Sequence, residues 1–386
     1  MTRDLVATGR DSASEARGSA ARAVTDAVPV ERSRARTSAP PRRVLVLKPC
    51  CIGDVLMATP VLASLRAAWP EARIEWAVDR HSAPVLEGNP HLDGCLDATG
   101  CVRGDLSAAA LWRLVRRVRA ARFDAVFVPD RSPVLAWAAR ASGAPLRVGL
   151  ASGWRGLAHS VRVAAPPSAP RHEMEVYLDL VRAIGLSPAP CRPVFAPTAD
   201  HRAAAERVSV AAPNDGPWAA LHPGGGVNPG MRLVEKRWPA ERFASIAGRL
   251  VAAGAGAVFL LGGPDDRPLT EVVARGVDSA GGDSSRLLDV AGRLRLPEVG
   301  ALVERCALFV GNDTGVTHLA AAVGTPVVAV FGPTDPARYG PMPDAGVAVA
   351  PRGGGATGPR EAVGSTAIGA VPVADVWAAV ARYLPR

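Results

Sequence analysis

The sequence predicts an α/β protein made of two doubly wound domains with a ligand cleft between them. Three observations carry this. Short, fully apolar runs alternate with longer helical patterns in both halves, as in parallel strands buried on two faces. A proline-rich stretch at 188–197 separates the halves. Glycine-rich turns follow three strands of the second half, at the sheet edge where open α/β sheets bind ligands.

In the first half, residues 44–47 read as a buried strand, 49–53 as a turn and 54–69 as a helix. A strand at 74–78, a basic helix at 113–122, a strand at 125–128, a helix at 135–141 and a strand at 146–148 continue the alternation. Residues 149–170 read as loop and 173–184 as a helix. The second half has strands at 218–221, 257–261, 307–310 and 327–331, with helices at 239–253, 297–305 and 373–383. The expected organisation is a disordered tail (1–42), a first domain (43–190), a linker (191–205), a second domain (206–372) and a C-terminal helix (373–386).

With 386 residues, 48% apolar and 21% charged, the chain can bury a large core, which excludes wholesale disorder. No apolar run approaches the roughly 18 residues of a membrane span, so a soluble or peripheral cytoplasmic protein is expected. The net charge of +9 favours anionic partners. Nucleic acid is not expected among them, because no nucleic-acid-binding motif is present. Arg113, Arg116, Arg117, Arg119 and Arg122 read as a solvated helix face, with an anionic acceptor or peripheral membrane contact as the alternative. The six cysteines are scattered or adjacent, without metal spacing, and are expected as free thiols.

Only two lysines occur, Lys48 and Lys236, in a chain whose other basic residues are arginines. A lysine retained against that bias suggests a specific need, and both fall near glycine-rich turns. Gly224, Gly225 and Gly226, and the turn at Thr314 and Gly315, suit phosphate oxygens, and Lys236 could neutralise them. Neither a Walker loop nor GxGxxG is present, which disfavours P-loop and nicotinamide enzymes. Asp54 reads equally as a helix N-cap or as a carboxylate that accepts a proton at the cleft. His318 reads as a ligand contact or, more in keeping with its helix, a core histidine.

Three segments together resemble glycosyltransferase family nine, the ADP-heptose:lipopolysaccharide heptosyltransferases, over residues 43–345. They are RVLVLKPCCIGDVLMA at 43–58, His222-Pro223-Gly224 with Lys236-Arg237-Trp238-Pro239, and the run Gly311 to His318 with Gly324-Thr325-Pro326 and Phe331-Gly332-Pro333-Thr334. The resemblance implies the GT-B architecture of two Rossmann-like domains, with the C-terminal helix returning to the first. It implies inverting transfer from a nucleotide-sugar donor, ADP-heptose in particular, with no cofactor and no metal. Asp54 would be the general base. Lys236 would contact the donor diphosphate, Thr314, Gly315 and His318 would line the phosphates, and Asp313 would reach the sugar. Asp265 falls where the family places an acidic residue on the ribose, and Leu294 where an apolar side chain packs on adenine. The acceptor would be a glycan, glycolipid or small molecule, met at the inner face of the cell membrane. A GT-B epimerase and a non-catalytic nucleotide-sugar binding protein are the alternatives. Retention of Asp54 argues against the latter.

Overall fold

A computed structural model describes residues 30–32, 39–102, 104–151, 153–166, 171–228, 230–351 and 368–384. The first sheet contains β1 (Val30–Arg32), β2 (Arg43–Leu47), β3 (Arg73–Val78), β4 (Gly94–Asp97), β5 (Ala125–Val128), β6 (Leu146–Ala151) and β7 (Val161–Ala164). Their order is β1-β7-β6-β5-β2-β3-β4, with every pair parallel except β1 on β7. The strand β1 corrects the expectation of a wholly disordered 1–42. Three residues can pair along an open edge by backbone hydrogen bonds alone, and such pairing needs no apolar period to announce it. Residues 1–29 and 33–38 of the expected tail lie outside the described residues.

The second sheet contains β8 (Trp218–His222), β9 (Ala257–Leu260), β10 (Leu287–Asp289), β11 (Leu308–Asn312), β12 (Val327–Val330) and β13 (Gly346–Val349). All are parallel, in the order β10-β9-β8-β11-β12-β13. In both sheets the central strands are almost wholly buried, as their unbroken apolar runs require.

Around the first sheet lie α1 (Ile52–Ala68), α2 (Ala108–Ala121), α3 (Pro133–Ala141) and α4 (Glu173–Arg182). Around the second lie α5 (Ala199–Ser209), α6 (Ala240–Ala252), α7 (Arg267–Ser279), α8 (Leu296–Val303), α9 (Gly315–Ala322), α10 (Pro336–Tyr339) and α11 (Val373–Val380). Helix α1 is apolar almost all round and is enclosed by α4 and, from the second domain, α9. Its Thr59 Oγ1 accepts from Val194 N at 2.7 Å and its Ser64 Oγ from Ala189 N at 2.8 Å, so the interdomain connection is tied along this helix.

Two expected boundaries differ. The linker expected to reach 205 ends at Thr198, which caps α5 through a hydrogen bond from His201 N while His201 Nδ1 accepts from Thr198 N. Helix α11 does not return to the first domain. Its Val376, Ala379 and Val380 join Ile368, Val371 and Val328 in the second domain's core, packed on α6, β12 and β13. One apolar face a turn deep is satisfied at the nearest open side of its own sheet.

Candidate active site

The first domain presents the end of β2 and the start of α1. Asp54 sits in the first turn of α1, whose cap position is held by Cys51, so the N-cap reading of Asp54 is set aside. Its Oδ1 instead accepts from the Tyr177 hydroxyl of α4 at 2.9 Å and lies 4.0 Å from Lys48 Nζ. Lys48 is buried and donates to Asp130 Oδ2 at 2.8 Å, just beyond β5. Burial alone would pull the Lys48 pKa down. The carboxylates of Asp130 and Asp54 outweigh it and hold the ammonium above its ordinary range. Burial, and then the Asp54 charge, push Tyr177 well above the usual tyrosine value, so its hydroxyl stays a donor. Cys50 and Cys51 are joined as a disulfide across a cis peptide bond, a geometry that the expectation of free thiols did not include. Cys95, Cys101, Cys191 and Cys306 are free.

The second domain presents the ends of β8, β9 and β11. Gly225 and Gly226 have φ of +94° and +75°, which favour glycine. Gly224 has no room for a side chain, because the Asp266 carboxylate occupies that space. Asp266 accepts from Gly263 N at 3.0 Å and from Arg237 Nη2 at 3.3 Å, while Arg237 Nε donates to Gly225 O at 2.8 Å. Asn312, fully buried, donates to Pro223 O and Gly224 O and accepts from Trp238 N. These bonds clamp the 222–226 loop to the segment carrying Lys236. Lys236 Nζ donates to Asp313 Oδ2 at 2.6 Å, an oxygen that also accepts from Thr334 Oγ1. Burial lowers the His222 pKa to about 4, against the opposing pull of Asp266.

The two sides meet where α1 and α9 begin. A side chain at Gly53 would stand 2.7 Å from His318 Cδ2, and one at Gly315 would stand 2.5 Å from Ile52 Cγ2. Two helix N-termini from different domains therefore approach as closely as backbone and one imidazole allow. Burial depresses the His318 pKa, with Asp313 and Asp54 pulling the other way. Glu173, also buried, accepts from Arg131 of the first domain and, at 2.8 Å, from Arg338 of α10. His172 Nε2 lies 2.9 Å from Gly340 O, a second cross-domain contact.

Of the residues singled out from the sequence, Gly224, Gly225, Gly226, Lys236, Asp313 and Thr314 form one cluster, and Gly315 and His318 join it to the Asp54 side. Asp265 and Leu294 flank that cluster on the loops after β9 and β10, which Gly292 N joins to Gly262 O at 2.9 Å. Asp265 is exposed and Leu294 is half-buried against the core. Sequence reading missed Asp266, Asn312, Tyr177 and Asp130, and did not assign Lys48 to the site. Lys48 carried a signal in its rarity. Asp266 carried none that separates it from its neighbour Asp265.

Among the described residues, no group of three or more His, Cys, Asp or Glu side chains is arranged to hold a metal ion, and no helix is long and apolar enough to cross a membrane.

Residues 111–353 match the family model for glycosyltransferase family 9 (heptosyltransferase). Lipopolysaccharide heptosyltransferase 3 of Escherichia coli is 25% identical over 351 residues, covering 86% of this chain and 96% of its own. The crystal structure of a family 9 glycosyl transferase from Veillonella parvula DSM 2008 superposes with a TM-score of 0.67 at 24% identity, over 80% of this chain and 85% of that one. The E. coli ADP-heptose lps heptosyltransferase II structure gives 0.69 at 21% identity, over 89% and 98%. These superpositions share the two-sheet GT-B architecture. With the family model spanning more than half of its length, this chain belongs to glycosyltransferase family 9 (heptosyltransferase) and is a glycosyltransferase.

Proposed function

We propose that the enzyme moves a heptose from an ADP-linked donor to a hydroxyl of a glycolipid acceptor of the lipopolysaccharide core, in one displacement with inversion. The observation that carries this reading is the position of Asp54, a carboxylate of one domain held by Tyr177 next to the junction with the 311–315 turn of the other. An acceptor hydroxyl within reach of Asp54 would give up its proton as its oxygen attacks the anomeric carbon. The bond from that carbon to the diphosphate breaks, and negative charge grows on the leaving ADP. Lys236, the N-terminus of α9 and the 224–226 loop would receive that charge, so the proposal assigns it to protein groups rather than to a metal ion. To do so, Lys236 exchanges part of its contact with Asp313 for the phosphate, which leaves Asp313 free to take a sugar hydroxyl. Asp265 and Leu294, on adjoining loops, would take the ribose and the adenine. Closed domains would exclude the water that otherwise hydrolyses the donor.

The names of the curated relatives support the acceptor class, and the matched 236–239 and 311–318 segments support the donor. In this reading the enzyme works in the cytoplasm at the inner face of the cell membrane. The test is mass spectrometry of ADP- and UDP-linked sugars with and without heptose-acceptor glycolipid, with NMR of the product anomer. ADP-heptose should be consumed only with acceptor, giving the opposite anomeric configuration. Consumption without acceptor, or tighter calorimetric binding of UDP than of ADP, would overturn the reading.

A further inference from the structure

Three of the eight tryptophans lie on the surface of the first domain, and the other five are buried or half-buried. Trp112 on α2, Trp137 on α3 and Trp154 in the turn after β6 are 58%, 59% and 65% exposed. They belong to neighbours, for α2 packs on α3 and α3 on the 153–156 turn. A lone exposed aromatic needs no explanation, but three on adjoining elements form a patch.

The same face is predominantly basic. Helices α2 and α3 contain five arginines and no acidic residue. Arg113, Arg116 and Arg117 are exposed, and among the described residues they form no ion pair. The Arg116 guanidinium lies 4.6 Å from the centre of the Trp112 ring, so charge and ring are offered together. Asp97, held low first by Thr99, is also lowered by Arg117 and Arg113, so it and the exposed Asp105 just before α2 offset part of that charge.

Topology places the patch. A helix that follows a strand starts at the carboxyl edge of the sheet and runs back across it. Trp112 and Trp137 lie in the second turns of α2 and α3, and Trp154 lies directly beyond the end of β6. All three therefore sit toward the sheet edge from which Asp54 projects at the end of β2.

We propose that this face docks the enzyme on an anionic phospholipid bilayer. Tryptophans settle at the boundary between headgroups and acyl chains, and arginines beside them meet lipid phosphates. A second copy of the chain is a poorer occupant, since the same face would set arginines against arginines. Docking here would bring the Asp54 edge to the layer in which a glycolipid is embedded. The surface is inferred independently of the transfer reading, and its test uses neither donor nor acceptor.

The experiment is flotation of the full chain with vesicles of phosphatidylcholine containing phosphatidylglycerol, and with phosphatidylcholine alone, across a salt series. The wild type should float with the anionic vesicles at low salt and much less at high salt. Combined Arg113→Gln, Arg116→Gln and Arg117→Gln should weaken binding on the order of a hundred-fold, at roughly one membrane-apposed charge each. Combined Trp112→Ser, Trp137→Ser and Trp154→Ser should weaken it by about ten-fold or more, since the rings no longer leave water. Thermal unfolding and ADP affinity should be unchanged in both, and if the tryptophan set fails to fold, the arginine set and the salt series still decide. The proposal is overturned if wild type stays unbound at low salt, or if the well-folded variants float like wild type. It is equally overturned if the tryptophan changes only convert a dimer to a monomer and leave flotation intact.

Discussion

Lys48 and Lys236 are the chain's only lysines, one in each domain, and each is paired with an aspartate at the end of a central strand. The pairs have nearly the same length, 2.8 Å to Asp130 and 2.6 Å to Asp313. Their surroundings differ. The Lys48 side chain is 7% exposed, with Asp54 4.0 Å from its ammonium and the Tyr177 ring centre 5.7 Å from it. The Lys236 side chain is 18% exposed, and its segment is anchored by bonds to a glycine loop. One arrangement seals a charge beneath the carboxylate of Asp54. The other leaves a charge that a ligand can reach. Rarity in the sequence singles out both residues, and only the enclosure tells a sealed charge from an accessible one.

The largest effect should come from Asp54→Asn, which keeps the shape and removes the proposed base. Transfer should fall by about 10²–10⁴-fold with ADP affinity intact. Wild-type rates would return Asp54 to a purely structural place beside Lys48. Next is Lys236→Ala, which should raise the barrier by about 2–4 kcal/mol, in a variant that still folds but unfolds more readily, because the buried Asp313 carboxylate loses its partner. Lys236→Arg should rescue only partly, because a planar guanidinium replaces a compact charge. Full activity in the alanine variant would erase the distinction drawn between the two lysines.

Lys48→Met should act mainly through stability, costing about 3 kcal/mol in denaturant unfolding, the low end for a broken buried pair because Asp130 keeps some contact with water. The folded Lys48 pKa lies above the ordinary 10.5, so its contribution is complete below that pH and is lost as pH rises through the folded value. The gap between wild type and variant should therefore be constant near neutrality and narrow in strong alkali. Lost turnover with unchanged stability would overturn the reading of Lys48 as an enclosed, structural charge.

His222 offers a weaker contrast at acid pH. Its folded pKa of about 4 is below the unfolded 6.5, so between these values the unfolded chain takes up the proton. Stability should fall by roughly 1–3 kcal/mol as pH drops from 6.5 to 4, and His222→Gln should flatten part of that slope. His159 of the first domain has the same depressed value, from burial first, and together with His318 and His91, also lowered by burial, would contribute to the remainder. The smallest effect belongs to Asp265→Ala. Its exposed carboxylate should leave unfolding within about 0.5 kcal/mol of wild type, while donor KM rises several-fold. Asp266→Ala, beside it, should lower the melting temperature, since three segments depend on that carboxylate.

Much of this molecule was legible because it depends on near neighbours in the chain. Val44 to Leu47 had to be a strand buried on both faces, and a glycine-rich turn after a strand had to open at the sheet's carboxyl edge. The cluster around Lys236 was legible too, because the resemblance carried Lys236, Asp313, Thr314 and His318 together, and the structure gathers them. What escaped were partners distant in sequence. Tyr177 reaches Asp54 across 123 positions and Asn312 reaches Gly224 across 88, and no local pattern marks either pair.

Periodicity and turn chemistry by themselves determined two α/β halves, their central strands and the loops that carry glycine, because each follows from the backbone preferences and burial of adjacent residues. The outer strands β1, β4, β7, β10 and β13 escaped, since they are short and at or beside the sheet edges, and β7 lies within the stretch read as loop. Tertiary structure alone decided that Asp54 is held by a tyrosine instead of capping its helix. It also decided that α11 stays on its own domain, and that Gly53 lies against His318. Each of these depends on which surfaces meet once both sheets are built, and on the space left where they meet.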